Sequence, residues 1–127
     1  MRINELKVRN LLSHKDTRIV FPSGLTAIVG ENGAGKTALL DAISYALFKE
    51  HSRGVDENLI NRRADSAEVS LKFTAGGREY SIEWRIRRKS RAVANMRELP
   101  SNKPILIDAG ERTVLPEVEK RLGISKE

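Results

Sequence analysis

The sequence contains no cysteine, which excludes both a disulfide framework and a thiolate metal site and fits a cytoplasmic setting. No apolar run approaches membrane-spanning length, and no secretory leader opens the chain, so a membrane partner is not expected. Histidine is scarce. His14 and His51 stand far apart, offer no metal-ligand spacing and read as surface or loop residues. There is no internal repeat and no low-complexity tract. What remains is a 127-residue chain, one domain at most, with 39% hydrophobic and 31% charged residues, the balance of a soluble globular fold. Its formal charge of +6 and pI near 9.9 favour an anionic partner, with nucleic acid the default choice.

The most informative stretch runs from Leu25 to Leu47. An apolar run, Leu25-Thr26-Ala27-Ile28-Val29, leads into Gly30-Glu31-Asn32-Gly33-Ala34-Gly35-Lys36-Thr37, and a helical pattern follows. Leu39, Leu40, Ile43, Ala46 and Leu47 are expected on one face of that helix, which begins near Lys36 and ends near Lys49. The middle segment fits the phosphate-binding loop G-x-x-x-x-G-K-[ST], placed as it should be between strand and helix. By average residue usage the pattern alone arises in on the order of one chain in a few hundred of this length. Phosphate oxygens must approach the main chain closely, and a Cβ at Gly33 or Gly35 would block that approach or the positive φ it requires. Successive N–H groups then form an anion nest at the positive end of the helix. Lys36 reaches the β- and γ-phosphates as a point charge, and the Thr37 hydroxyl ligates Mg²⁺. These groups bind a nucleoside triphosphate; none of them alone hydrolyses it.

The flanking segments alternate as strands do. Glu5 to Arg9 reads as a half-buried strand, Asn10 to Asp16 as a connecting loop, and Thr17 to Phe21 as a second strand. Pro22-Ser23-Gly24 is turn chemistry. Leu25 to Val29 lacks alternation and is expected at the centre of a sheet, covered on both faces. The polar tract from Glu50 to Ser66, with Arg53, Arg62 and Arg63, is either a solvated loop or a lid near the nucleotide. Val69, Leu71 and Phe73 then alternate with polar residues, Ala75-Gly76-Gly77-Arg78 turns the chain, and Tyr80, Ile82, Trp84 and Ile86 alternate back. This is a β-hairpin with one apolar face, and Tyr80 and Trp84 belong to its core side. Ile105 to Ile107 is a short strand. Thr113 to Leu122 is a helix with Leu115, Val118 and Leu122 inward and Gly123 just past its end.

Arg85-Ile86-Arg87-Arg88-Lys89-Ser90-Arg91 places five cations within seven residues. Two readings stand: an edge strand blunted by charge, or a DNA-phosphate patch formed by Arg85, Arg87, Arg88 and Arg91. No convincing acidic residue ends a second apolar strand to hold Mg²⁺ and orient water. Asp108, after Ile105-Leu106-Ile107, is the one candidate.

The combination of Asn10-x-x-Ser13-His14 with Gly30-x-Asn32-Gly33-x-Gly35-Lys36-Thr37-x-x-Leu40-Asp41-Ala42-Ile43 resembles the amino-terminal lobe of an SMC-type ATPase. Within that group it is most similar to the archaeal DNA double-strand-break repair ATPases, the Rad-fifty family. The resemblance is strong over about the first ninety residues and general in layout beyond them. It implies an α/β fold, a P-loop NTPase (ABC-ATPase-like) half-head with an antiparallel β-hairpin unit. It also implies that residues 1–127 are one lobe of a split head and a fragment of a longer protein. The coiled coil with its zinc-binding hook and the carboxy-terminal lobe would lie elsewhere in that protein.

The resemblance further implies ATP and Mg²⁺ as cofactors and places Asn32, Gly33, Ala34, Gly35 and Lys36 around the phosphates, in a run extending to Ala38. Thr37 falls on Mg²⁺, and Asn61, Arg62 and Arg63 near the nucleotide; no catalytic group lies within the fragment. ATP hydrolysis would need the chain's own carboxy-terminal lobe and a second head, the fragment alone being inactive. The implied partners are a second copy, a repair nuclease and double-stranded DNA, in a cytoplasmic, nucleoid-associated setting. The chain departs from the pattern at Leu12, where some relatives carry Arg, and at Ala38, where relatives often carry a second hydroxyl. The family's glutamine loop is not found between Thr37 and Glu127. A self-contained P-loop kinase or NTPase and the nucleotide-binding subunit of an ABC transporter are the alternatives. A RecF-like repair ATPase is a near relative.

Overall fold

The computed structural model describes residues 1–21 and 34–123, with the side chains of residues 34–36 not described. Its backbone is a six-stranded sheet in the order β2-β1-β3-β4-β5-β6, every neighbouring pair antiparallel. The strands are β1 (Arg2–Leu11), β2 (His14–Val20), β3 (Ser66–Ala75), β4 (Arg78–Arg87), β5 (Val93–Leu99) and β6 (Lys103–Ala109). Two helices complete the described fold: α1 (Ala34–Phe48) and α2 (Glu111–Leu122). The apolar strand expected at Leu25 to Val29 lies outside the described residues.

The sheet has one apolar and one charged face because its strands alternate, as a pleated strand buried on one side must. Val69, Leu71 and Phe73 from β3 and Tyr80, Ile82, Trp84 and Ile86 from β4 form the apolar face. Val69 stands opposite Trp84 and Leu71 opposite Ile82. Gly76 and Gly77 join these strands, both at positive φ (57° and 76°), as a tight two-residue hairpin turn requires. In β1 the alternation is broken. Ile3, Leu6, Val8 and Leu11 are all buried, because a bulge between Ile3 and Glu5 shifts the register and Asn10 adopts φ 52°. The opposite face presents Glu5, Lys7, Arg9, Lys72 and Glu83. There, Arg18 and Lys72 both pair with Glu5 and hold its carboxyl below the usual range.

α1 lies across β1, β3 and β4, and α2 across β5 and β6. Leu39, Ala42, Ile43, Tyr45, Ala46 and Leu47 are buried beneath α1. The seat is specific: Trp84, fully buried, donates from Nε1 to the Ala46 carbonyl at 3.0 Å. Its ring meets Tyr45 edge-on at 5.6 Å between centroids. α2 begins after Gly110 and ends at Gly123, whose φ of 70° closes the helix as a left-handed cap.

The fold departs from the sequence expectations in ways that have physical causes. Asn10 to Asp16 is a hairpin turn rather than a loop: β1 runs to Leu11 and β2 starts at His14, with Leu12 at φ 50° between them. β4 is not an edge strand. It pairs with β3 on one side and with β5 on the other, so its cations do not blunt a sheet edge. β5 itself, Val-Ala-Asn-Met-Arg-Glu-Leu, carries too little apolar bulk to announce a strand and is recruited by pairing. Leu40 is 47% exposed, because the sheet reaches only the Leu39–Ile43–Ala46 side of α1. On α2 the inward residues are Val114 and Val118, with Leu115 only half-buried.

Substitution of Trp84 by Phe removes the donor to Ala46 and leaves unfilled volume beneath α1. A destabilisation of about 2 kcal/mol is expected from these two losses. Urea unfolding followed by far-UV circular dichroism should show a lower midpoint with an unchanged slope; an unchanged midpoint would show that α1 does not depend on this seat.

Candidate nucleotide-binding site

α1 is described from Ala34, so its first described residues belong to the phosphate-loop motif, in line with a helix beginning near Lys36. Gly30 to Gly33, including the predicted phosphate contacts Asn32 and Gly33, lie outside the described residues. Ala34, Gly35 and Lys36 form the opening turn of the helix. The backbone N–H groups of that turn have no partners within the helix, and no acidic residue occupies it. The positive end of the helix dipole lies at this turn. Thr37 is exposed on this turn. Ala38 is fully buried in the core, so its side chain faces away from any ligand at that end.

At its other end α1 is tied down by charge. Lys49 closes the helix at φ 56°, its N–H donating to the Tyr45 carbonyl at 2.8 Å, and its ammonium lies 3.0 Å from Asp56. Asp56 also accepts from the Tyr45 hydroxyl at 3.1 Å and sits 3.2 Å from His51 Nε2. Burial alone would raise the Asp56 carboxyl; Lys49, His51 and Tyr45 together outweigh it and hold the carboxyl below its ordinary value. Burial pushes the Tyr45 hydroxyl strongly upward, with Asp56 adding to the shift. His51 is a loop residue, as expected, but its side chain is only 3% exposed because it is packed into this cluster.

The tract after α1 is therefore neither featureless nor loose. It contains a single 3₁₀ turn, Asp56–Leu59, and buries Leu59 and Ile60. Two backbone bonds stitch it to the β1–β2 turn, Leu12 N–H to the Leu59 carbonyl and Asn61 N–H to the Asn10 carbonyl, both at 2.8 Å. The Asn61 side chain donates to the Leu12 carbonyl at 2.6 Å and accepts from the Arg63 N–H at 2.9 Å. Its amide is thus engaged in shaping the tract. Arg62 and Arg63 emerge exposed from this fastening and, with Leu12, Ser13, Lys15 and Arg88, line an open cleft of about 670 Å³.

Arg85, Arg87 and Arg88 of the basic run border one cleft together with Asp65 and Glu68. Arg85 and Arg87 project from the charged face of β4, Arg85 at 3.5 Å from Glu68. Arg88 turns back to donate to the carbonyls of Ala64 (3.1 Å) and Asn61 (3.2 Å), so it braces the tract that carries Arg62 and Arg63. Arg91 lies past the turn, beside Lys49, Arg87 and Arg112 around a groove of about 530 Å³. Asp108 sits exposed on β6 at φ 46°, and its N–H donates to Asn95 Oδ1 at 3.2 Å. Among the described residues no group of three or more His, Asp or Glu side chains could hold a metal ion.

One residue was not singled out by spacing: Asp41, on the buried side of α1. It is 8% exposed and accepts from the Ser52 N–H (3.0 Å), the Ser52 hydroxyl (2.7 Å) and Arg53 Nε (3.4 Å). A carboxylate amid the apolar positions of a helix was the signal that could have found it.

Comparison with known proteins agrees with this geometry. A family described as AAA domain matches residues 5–125. The chain is 35% identical over 125 residues to a DNA double-strand break repair Rad50 ATPase of Sulfolobus acidocaldarius, covering 97% of this chain and 14% of that protein. It is 36% identical over 128 residues to the Rad50 ATPase of Thermoplasma volcanium, again with 14% of the relative covered. The chain therefore spans about a seventh of the length of these relatives. Among solved structures, the recombination mediator protein RecF bound to ATP matches with a TM-score of 0.65 at 21% identity, covering 85% of this chain and 28% of that one. The SMC head domain from Thermotoga maritima matches at 0.61 with 26% identity, covering 95% and 42%. The fold is thus the mixed α/β fold of the P-loop NTPases, with an antiparallel sheet, that the motifs implied. Because the AAA domain match runs over nearly the whole sequence, the chain belongs to that family.

Proposed function

We propose that residues 1–127 are the amino-terminal ATP-binding lobe of a DNA double-strand-break repair ATPase. The observation that carries this reading is the run of the G-x-x-x-x-G-K-T motif directly into α1, whose first turn begins at Ala34 with no acidic residue in it. Asn32, Gly33, Ala34, Gly35 and Lys36 would surround the phosphates, with Lys36 neutralising the β- and γ-phosphates. Bound Mg²⁺ would supply charge neutralisation between those phosphates, held on this chain by the Thr37 hydroxyl. Ala38 would take part through its main chain alone. Arg62 and Arg63 would approach the nucleotide from the tract fastened by Asn61. The identity to Rad50 ATPases supports the repair setting.

Hydrolysis requires a positioned water, an acidic group on Mg²⁺ and positive dipoles facing the γ-phosphate from the opposite side. In this reading those groups come from the carboxy-terminal lobe and a second head. ATP would fill the gap between the surfaces, bind the joined state better than the separate ones and so drive association. The engaged heads would clamp double-stranded DNA and control a partner nuclease. Arg87 and Arg91, exposed and bordering one groove that Asp56, Glu57 and Glu111 also line, are the members of the basic run assigned here to phosphate contact.

Replacing Lys36 by Ala should remove most ATP affinity while preserving the far-UV spectrum. Equal affinity for mutant and parent by calorimetry would contradict the phosphate-loop reading. On the assembled head, Arg87→Ala with Arg91→Ala should weaken DNA binding for every sequence and flatten the dependence of log K on log salt by about two units. An unchanged slope would return these arginines to a purely solvated role. Steady-state phosphate release should be negligible for the chain alone and appear when the carboxy-terminal lobe is added. Robust turnover by the isolated chain, abolished by Lys36→Ala, would instead favour a self-contained NTPase.

A further inference from the structure

Asp41 presents an energetic puzzle that the nucleotide reading does not absorb. It sits at the margin of the buried arc of α1, one turn from fully buried Ala38 and Tyr45, and is covered by Ser52 and Arg53 rather than by the sheet. Burying a carboxylate there is costly unless donors replace the lost water. Its three donors all come from Ser52 and Arg53, and Ser52 is itself exposed. The network therefore does not fill the core. It fixes the place where the chain, having left α1, starts the tract that ends at Arg63.

That tract is held along its length. Asp41 fastens Ser52 and Arg53; Asp56, gripped by Lys49, Tyr45 and His51, fastens the 3₁₀ turn. Asn61 then fastens the far end to the β1–β2 turn. Between these points lie Gly54 at φ 83° and Val55, 67% exposed, positions with little packing of their own. Asp41 is also four residues, one helical turn, after Thr37, on the same rigid helix.

We infer that Asp41 is a positioning residue for the nucleotide site: through Ser52 and Arg53 it sets Arg62 and Arg63 relative to the helix turn that carries Thr37. The inference rests on the reading of Lys36, Arg62 and Arg63 as nucleotide contacts. Asp41 touches no ligand in this scheme and acts through the tract alone. Two residues in separate segments, each able to shift the same pair of arginines, should be coupled energetically to them.

The test is a double-mutant cycle on MgATP affinity, measured by calorimetry on the chain, with thermal unfolding recorded for each variant. Asp41→Asn keeps the shape and discards the charge. Ser52→Ala changes only an exposed hydroxyl and serves if Asp41→Asn does not fold. Each is expected to raise Kd by roughly fivefold, a size typical of coupled neighbours. In a background of Arg62→Ala with Arg63→Ala the same changes should alter Kd by less than about twofold, because the groups they position are gone. An equal loss in both backgrounds would overturn the positioning role and leave a general effect on the helix. No loss from Asp41→Asn or Ser52→Ala in the parent chain would overturn it as well. If the arginine pair alone leaves Kd unchanged while Lys36→Ala abolishes binding, the phosphate loop stands and the inference about Asp41 falls. If Lys36→Ala also has no effect, the nucleotide reading itself has failed.

Discussion

The contact on which the described architecture depends is the one between Trp84 and α1. An indole buried at the middle of β4 would leave its N–H without a partner were it not aimed at the carbonyl of Ala46. That single bond fixes both the height and the rotation of α1 over the sheet, since a slide of one residue would break it. The edge-on ring of Tyr45 fills the space beside it. Because α1 is rigid, the location of its first turn, and with it Thr37, follows from a contact near its far end.

A second set of constraints acts where α1 stops. A lysine in the left-handed conformation closes the helix where glycine is the usual choice, and its ammonium compensates by pairing with Asp56. Asp56 collects three partners and Asp41 gathers donors from two successive residues. Each carboxylate is only tolerable at its depth because it is multiply hydrogen-bonded. The result is that a largely polar tract, anchored by buried Leu59 and Ile60, follows a defined path from the helix to the β1–β2 turn. Arg88, which by composition belongs to a cationic run, contributes to the same path by capping two of its carbonyls.

Charge is otherwise sorted by the pleat of the sheet. Alternation sends Arg85 and Arg87 to the open face, where carboxylates of β1, β3 and β4 stand among them. The net positive charge therefore does not collect at one spot on that face. It gathers at the cleft beside the β1–β2 turn, where Lys15, Arg62, Arg63 and Arg88 meet Glu57 alone.

Local pattern was enough to locate α1, the β3–β4 hairpin with its Gly-Gly turn and the capped helix at 111–122. Each of these is written in short-range spacing: period two, period near 3.6, or a glycine required at positive φ. Trp84 and Tyr80 were legible as core for the same reason, since they share a face with Ile82 and Ile86. The second neighbour of β4 was not legible. The charged residues of β4 suggested an edge, yet hydrogen bonding to β5 makes it interior, and pairing partners are set by topology rather than by a strand's own residues. The inward register of β1 was hidden by a bulge that no local pattern announces. Asp41, Asn61 and Arg88 owe their roles to partners 11, 49 and 27 residues away in sequence, distances at which only the folded chain brings polar groups into line. The motif itself is determined by the sequence; the bracing that ties the tract of Arg62 and Arg63 to the β1–β2 turn exists only in three dimensions, because hydrogen bonds select geometry and not spacing along the chain.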